Sequence, residues 1–320
     1  MKILANDGIS KSGVEALEKA GFEVILTHVA QNQLADYINK NNIDVVLVRS
    51  ATKIRKDLID TCPGLQMIGR GGVGMDNIDV EYAREKGIKV INTPAASSAS
   101  VAELVFAHLF GAVRSLHFAN REMPLEGESR FKDLKKSYSK GVELRGKTLG
   151  VIGLGKIGQE VAKIALGIGM KVIGSGRNTE TVSVELKFYD GNTIDFNIQK
   201  IPLDEVLTQS DFISLHLPAQ EKYIIGKKEI EKMKEGAGII NAARGGVVDE
   251  AALVEALESG KLSFAALDVF EKEPTPEVQL LMNPKISLSP HIGGSTVEAQ
   301  DRIGTELAQQ IIEFSEAQKA

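Results

Sequence analysis

Residues 147–158 read KTLGVIGLGKIG and residues 159–169 read QEVAKIALGIG. The apolar run Leu149–Ile152 is short enough for a buried strand, and the glycine-rich turn after it leads directly into an amphipathic helical pattern. Gly153, Gly155 and Gly158 have the spacing G-x-G-x-x-G, which is weak alone but informative between a strand and a helix. The first glycine makes a tight turn, the second lets a pyrophosphate approach the backbone, and the third lets helix and strand pack closely. The helix start then faces an anion with its free amides. A turn with no ligand is the plainer alternative, and the strand–turn–helix context favours a dinucleotide site.

Outward from this unit, short apolar runs recur at Lys171–Ile173, Phe212–Leu215, Gly238–Asn241, Phe264–Leu267 and Ile286–Leu288. Upstream they fall at Lys2–Ala5, Glu23–Leu26, Val45–Val48, Gln66–Ile68 and Lys89–Ile91, with helical patterns such as Lys11–Ala20 and Gln31–Lys40 between them. Alternating strands and helices predict two α/β blocks, each a parallel sheet covered by helices. A long helical pattern covers about Ser100–Met123, and the basic stretch 124–147, with little periodicity, reads as an extended arm or linker. Val184, Leu186 and Phe188, then Ile194, Phe196 and Ile198, alternate with polar residues around YDGNT. That pattern predicts an antiparallel hairpin at about 184–198, inserted in an otherwise parallel unit. A last helix is expected over Thr296–Glu316; periodicity leaves open which block it packs on.

The chain has 320 residues, which suggests two domains, and a net charge of −5 from 38 basic and 43 acidic side chains. A weakly acidic chain argues against nucleic acid as the main partner. The single cysteine, Cys62, excludes an internal disulfide framework and a multi-cysteine metal site, so no metal and a reducing cytoplasm are expected. The N-terminal MKILANDGIS turns polar at Asn6, so no signal peptide is expected, and no apolar run approaches the ~18 residues of a membrane span.

About 20 residues after the glycines, a ribose-binding acid is expected. Gly174-Ser175-Gly176-Arg177 offers none. Loss of the acid removes repulsion toward a 2′-phosphate, and Arg177 could pair with one, so these residues lean toward NADP(H). A solvated loop charge, or stacking on adenine, is the other reading of Arg177. Further polar residues cluster at or just beyond expected strand ends, where open α/β sheets bind ligands: Arg244 in NAARGG, Asp268 and Glu273 in ALDVFEKEP, and His291 in SPHIGGST. His28, His108, His117 and His216 read as structural histidines, although His216 also ends a strand and could border a cofactor.

The motifs GRGGVGMDNID, INTP, GKTLGVIGLGKIG, SDFISLHLP, IINAARGGVVDE, ALDVFEKEP and SPHIGGST together resemble the D-isomer-specific 2-hydroxyacid dehydrogenases over nearly the whole length. The phosphoglycerate dehydrogenase branch is the most similar, through RSATK at 49–53, GRGGVG at 69–74 and HIGGSTVEAQ at 291–300. The resemblance implies two Rossmann-like or flavodoxin-like parallel-sheet domains with a cleft between them. Residues 1–97 with 289–320 would form the substrate domain, and 98–288 the nucleotide domain. It implies a catalytic set of Arg244, Glu273 and His291. Moving a hydride and a proton between a 2-hydroxy and a 2-keto acid needs a proton-exchanging group, which histidine suits. A carboxylate beside it would favour the imidazolium and orient the ring. An arginine can hold the substrate carboxylate and polarise the carbonyl.

By the same resemblance, Gly72 and Val73 would present amides to the carboxylate, and Arg49 and Arg70 would contact the substrate. Lys156 and Ile157, with Gly153, Gly155 and Gly158, would lie on the cofactor phosphates. Leu217, Ala242 and Asp268 would line the ribose and nicotinamide, with Val73, Arg177, Gly293 and Gly294 also beside the cofactor. The resemblance leans toward NAD(H) where the local sequence leans toward NADP(H). It also implies a homodimer through residues 99–145, with Lys135 and Lys136 adding charge from a second subunit. A solvated basic loop is the other reading of those lysines.

Three departures stand out. Gly176 occupies the place of the ribose acid, the hairpin at about 184–198 is extra, and Ala95-Ala96-Ser97 replaces a more polar run. With Ala320 as the last residue, a short form without a C-terminal regulatory domain is expected. The expected substrate pair is 3-phosphoglycerate and 3-phosphohydroxypyruvate, with hydroxypyruvate or glyoxylate reduction as the alternative. Glu273 argues against the formate dehydrogenases, which carry Gln there. A nicotinamide-sensing, corepressor-like scaffold is the rival from another class.

Overall fold

The computed structural model describes residues 1–178 and 180–318, in two compact units: Met1–Ser98 with the returning segment from Gly294, and Ala99–Gly293. In the first unit, β1 (Lys2–Ala5), α1 (Lys11–Lys19), β2 (Glu23–Ile25), α2 (Leu34–Asn41), β3 (Val45–Val48), α3 (Lys56–Thr61), β4 (Met67–Arg70), α4 (Val80–Glu85) and β5 (Lys89–Asn92) alternate along the chain. The five strands are parallel in the order β2-β1-β3-β4-β5. All four residues of β3 are buried, which explains its continuous apolar run. The terminal helix, Val297–Ala317, belongs to this unit and packs on α1, which decides what periodicity left open. Gly13 makes that packing close: a Cβ there would come within 2.8 Å of the Gly304 carbonyl oxygen.

The second unit holds α5 (Ser98–Val113), α6 (Leu116–Ser137), β6 (Thr148–Ile152), α7 (Lys156–Gly167), β7 (Lys171–Ser175), β8 (Thr181–Lys187), β9 (Thr193–Gln199), α8 (Leu203–Gln209), β10 (Phe212–Leu215), α9 (Lys227–Lys232), β11 (Ala237–Asn241), α10 (Glu250–Ser259), β12 (Leu262–Leu267), α11 (Val278–Leu281) and β13 (Ile286–Leu288). Six of its strands form a parallel sheet ordered β13-β12-β11-β10-β6-β7. The chain winds outward from β6 on one side and from β10 on the other. The switch point of the sheet therefore lies between these two strands, where such sheets bind ligands at their carboxyl ends. The second unit keeps Ser289–Gly293, whereas the sequence reading starts the return at residue 289.

Two expectations need correction. The stretch 124–147 is not an extended arm over most of its length: α6 runs through Ser137, with non-helical backbone at Arg130. Pro124 and Gly127 mask the periodicity, while Glu126 and Arg130 pair one turn apart. The expected continuous helix to Met123 breaks at Ser115, where φ is +50°. The hairpin does form, but as its own two-stranded sheet, β8 with β9, linked to the main sheet by a bridge between Gly174 and Lys200. Val184, Leu186 and Ile198 are buried on it, while Phe188 and Ile194 of the same alternation are exposed.

Candidate active site

The glycine turn after β6 has the geometry a pyrophosphate requires. Gly153 has φ +99°, and a Cβ on it would lie 2.3 Å from the His216 carbonyl oxygen. A Cβ on Gly158 would lie 2.0 Å from the Gly153 carbonyl oxygen, so the helix can sit against the turn only with glycine there. Gly155 caps α7 without a side-chain hydrogen bond, and Lys156 and Ile157 open the helix. The first amides of α7 thus have no side-chain cap of their own, which suits an anion. Leu217 is half-buried just beyond β10, and Ala242 is buried just beyond β11.

At the end of β7, Ser175 is buried, and Gly176 and Arg177 are exposed. A Cβ at Gly176 would meet the Lys200 side chain at 3.0 Å. Lys200 follows the hairpin, bonds the Asn178 side-chain oxygen, and brings a second cation to this edge.

Strands β11, β12 and β13 deliver the polar candidates from adjacent carboxyl ends. Asn241 fixes the loop after β11: its amide donates to the Arg244 carbonyl at 2.9 Å and its oxygen accepts from the Ala243 N–H at 3.1 Å. Arg244 is half-buried and donates from Nη1 to the Ala243 carbonyl at 2.6 Å. Gly245 lets this loop pass the next one, because a Cβ there would fall 1.9 Å from the Phe270 carbonyl oxygen.

The loops after β12 and β13 meet. His291 Nδ1 lies 2.8 Å from Glu273 Oε2, and Glu273 Oε1 accepts from the Phe270 N–H at 3.1 Å. Since a carboxylate only accepts, Nδ1 donates, and Nε2 is left to exchange a proton. Both side chains are a little over one-third exposed, at 39% and 37%. With Phe270, Pro274, Leu288 and Pro290 they line a cavity of about 400 Å³. Glu250 and Glu271 hold the Glu273 loop to α10 reciprocally: each accepts the other's backbone N–H, at 2.8 and 3.2 Å. Burial raises the Glu250 carboxyl above the usual range.

Asp268, 2% exposed, holds the histidine loop. Its Oδ1 accepts from Ser289 Oγ at 2.6 Å and the Ile292 N–H at 2.8 Å, and its Oδ2 from the Gly293 N–H at 2.8 Å. Both oxygens therefore serve the loop. His291 itself has φ +55°, a backbone state that costs a non-glycine residue about 1–3 kcal/mol and persists only where its surroundings impose it. Gly293 closes this unit and Gly294 opens the returning segment of the first.

In the first unit, Arg49, Arg70, Gly72 and Val73 stand at or beyond the carboxyl ends of β3 and β4. Arg49 is half-buried; burial lowers its pKa, and Asp7 opposes that. Gly72 has φ +142°, and a Cβ on it would lie 1.8 Å from Arg70 Nη1, so the guanidinium rests over this glycine. Asn92 donates to the Val73 carbonyl at 2.8 Å.

Asp7 was not singled out from the sequence. Its carboxylate accepts from the N–H groups of Arg49 (2.7 Å) and Thr52 (3.2 Å) and from Thr52 Oγ1 (2.7 Å). Nothing local in the sequence points to it, because its hydrogen-bond donors Arg49 and Thr52 lie more than 40 residues away. Lys135 and Lys136 are exposed in the last turn of α6. Among the described residues, no group of three His, Cys, Asp or Glu side chains could hold a metal ion, and no single helix is long and apolar enough to cross a membrane.

A family model described as D-isomer specific 2-hydroxyacid dehydrogenase, NAD binding domain, matches residues 106–293. The chain belongs to the D-isomer-specific 2-hydroxyacid dehydrogenase family. A hydroxypyruvate reductase of Thermotoga maritima is 44% identical over 318 residues, covering 97% of each chain. A D-3-phosphoglycerate dehydrogenase of Methanocaldococcus jannaschii is 43% identical over 97% of this chain, which spans 57% of that relative's length. A glyoxylate reductase structure from Paecilomyes thermophila superposes with a TM-score of 0.82 at 31% identity, covering 98% of this chain and 95% of that one. The protein is thus an oxidoreductase of the 2-hydroxyacid dehydrogenase type with a nicotinamide dinucleotide as cofactor, and the glycine cradle fits that group.

Proposed function

We propose that this dehydrogenase interconverts 3-phosphohydroxypyruvate and D-3-phosphoglycerate, using Arg244, Glu273 and His291. The observation that carries the chemistry is the 2.8 Å pair between His291 Nδ1 and Glu273. When bound, the nicotinamide supplies or takes the hydride at the substrate C2. His291, oriented by Glu273 through Nδ1, exchanges the hydroxyl proton at Nε2. Arg244 holds the substrate carboxylate and polarises the carbonyl, with the Gly72 and Val73 amides as further donors. Arg49 and Arg70 meet the 3-phosphate, since a phosphate selects planar multi-donor cations. Gly153, Gly155, Lys156, Ile157 and Gly158 hold the dinucleotide phosphates, while Leu217, Ala242, Asp268, Gly293 and Gly294 border the ribose and nicotinamide. The first unit, residues 1–98 with the segment from 294, acts as the substrate domain, and the second, 99–293, as the nucleotide domain.

A second reading, reduction of unphosphorylated hydroxypyruvate or glyoxylate, is favoured by the full-length similarity to a hydroxypyruvate reductase. Arg177 and Lys200 beside Gly176 support NADP(H) as the cofactor. Reduction of 3-phosphohydroxypyruvate, hydroxypyruvate and glyoxylate, each with NADH and NADPH, tests both points. A kcat/KM of ~10⁴–10⁸ M⁻¹s⁻¹ confined to the phosphorylated acid is expected. Higher efficiency with hydroxypyruvate would replace the substrate assignment.

The homodimer is placed on residues 99–145, supported by the exposed apolar side chains Leu116, Leu125 and Phe131 on α6. Light scattering on the purified chain tests it; a monomer at micromolar concentration would overturn it.

A further inference from the structure

We propose that His108 is a positioning residue for the reaction: a buried imidazole on α5 that fixes the His291 loop through Ser289 and Asp268. The proton-exchanging role of His291 rests on the dehydrogenase reading proposed above. The sequence alone reads His108 as a structural histidine.

His108 is 7% exposed, and burial holds its pKa below the ordinary histidine value; Asp268, which faces it, opposes that shift and His117 adds to it. The ring is hydrogen-bonded on both sides. Nδ1 lies 2.7 Å from Ser287 Oγ, and Nε2 lies 2.8 Å from Ser289 Oγ. These contacts have one consistent direction. Ser289 has a single hydroxyl proton, and it goes to Asp268 Oδ1 at 2.6 Å. Ser289 must therefore accept from His108, so Nε2 carries the proton. The neutral ring then accepts the Ser287 proton at Nδ1.

The chain of bonds ends beside the reacting histidine. Asp268 receives Ser289 and, on the same carboxylate, the N–H groups of Ile292 and Gly293, the two residues after His291. A second tie comes from the same helix: Ser100 Oγ donates to the Gly293 carbonyl at 2.7 Å. Helix α5 thus grips the loop at Ser289 and at Gly293, on both sides of His291. The grip matters because His291 sits at φ +55°, a conformation that the loop must impose. Without a donor at 108, Ser289 loses its partner on one side and can rotate off Asp268. The loop can then relax, and the His291 ring leaves its alignment with Glu273.

The test compares the full-length wild type with His108→Leu and His108→Gln. Gln keeps an N–H donor at about the Nε2 position, whereas Leu keeps only bulk. Three readouts are taken: kcat and KM with the preferred 2-keto acid, cofactor affinity by fluorescence, and ring ¹⁵N shifts of labelled histidines. His291 is assigned in those spectra with His291→Asn. His108→Leu is expected to lose about tenfold in kcat, with KM and cofactor affinity within about twofold of wild type. Its His291 ring shifts should lose the signature of a donating Nδ1–H. His108→Gln should recover both.

Lower thermal stability in His108→Leu with unchanged kcat and unchanged His291 shifts would reduce His108 to a packing residue. Equal loss in Leu and Gln would overturn the donor role. Should His108→Leu fail to fold, Ser289→Ala removes the relay hydroxyl and is read in the same way. If the wild type turns over no 2-keto acid, the dehydrogenase reading fails, and the ring spectra still decide whether His108 positions His291.

Discussion

His291 and Glu273 come from loops after different strands, yet His291 Nδ1 and Glu273 Oε2 stand 2.8 Å apart. The pairing leaves Nε2 as the only ring nitrogen able to exchange a proton. His291→Asn should therefore lower kcat by about 10²–10⁴ with cofactor affinity unchanged. Glu273→Gln should lower it less, because the amide oxygen can still accept from Nδ1. Steady-state kinetics beside fluorescence titration of NADH and NADPH checks both; a fully active His291→Asn would remove the residue from the mechanism.

The two glycines of the turn should separate stability from binding. Gly153→Ala places a Cβ 2.3 Å from a backbone oxygen at positive φ, so it should cost more than about 1 kcal/mol of stability and abolish cofactor binding. A Cβ on Gly155 meets no atom within 4 Å. Gly155→Ala should therefore melt like the wild type while binding the dinucleotide more weakly, because its methyl group would stand where the proposed site takes the pyrophosphate. Thermal melts with and without cofactor distinguish the two.

Cofactor choice should respond at the end of β7. Gly176→Asp brings a carboxylate beside the flexible Lys200 side chain. It should shift the kcat/KM ratio toward NADH by tenfold or more, on the order of one lost charge-assisted contact. Arg177→Ala should weaken NADPH and spare NADH. Equal effects on both cofactors would mean that Arg177 does not meet a 2′-phosphate.

Acid should destabilise the fold through His216. Its Nε2 bonds Ser214 Oγ at 2.8 Å, while its buried Nδ1 has no protein partner among the described residues. Burial lowers its pKa from 6.5 to about 3. Below pH 6.5 the unfolded chain takes up this proton before the folded one does. The stability contribution is thus full above pH 6.5 and is lost as pH falls toward 3, at up to about 1.4 kcal/mol per pH unit. Urea unfolding between pH 7.5 and 5 should show the loss, and His216→Gln should show less of it. Identical slopes would clear His216 of the effect.

Periodicity and glycine spacing were enough to read the alternating architecture, because strands buried on both faces leave continuous apolar runs such as 45–48 and Gly153, in the turn before α7, has no room for a side chain. The residues at strand ends were legible as well, since the winding of the sheet sends every strand's carboxyl end to one edge. Reading failed at α6, where Pro124 and Gly127 hide the periodicity of a helix whose backbone turns non-helical at Arg130.

By itself, the sequence determined two parallel α/β units, a dinucleotide turn and a family-typical set of polar strand-end residues, because each follows from local pattern. Only the tertiary structure decided which groups hold them in place. Asp7 reaches Arg49 and Thr52 across more than 40 residues. His108 reaches Ser289 across 181. A side chain's hydrogen-bond partner depends on proximity in space, and neither periodicity nor residue type carries that distance along the chain.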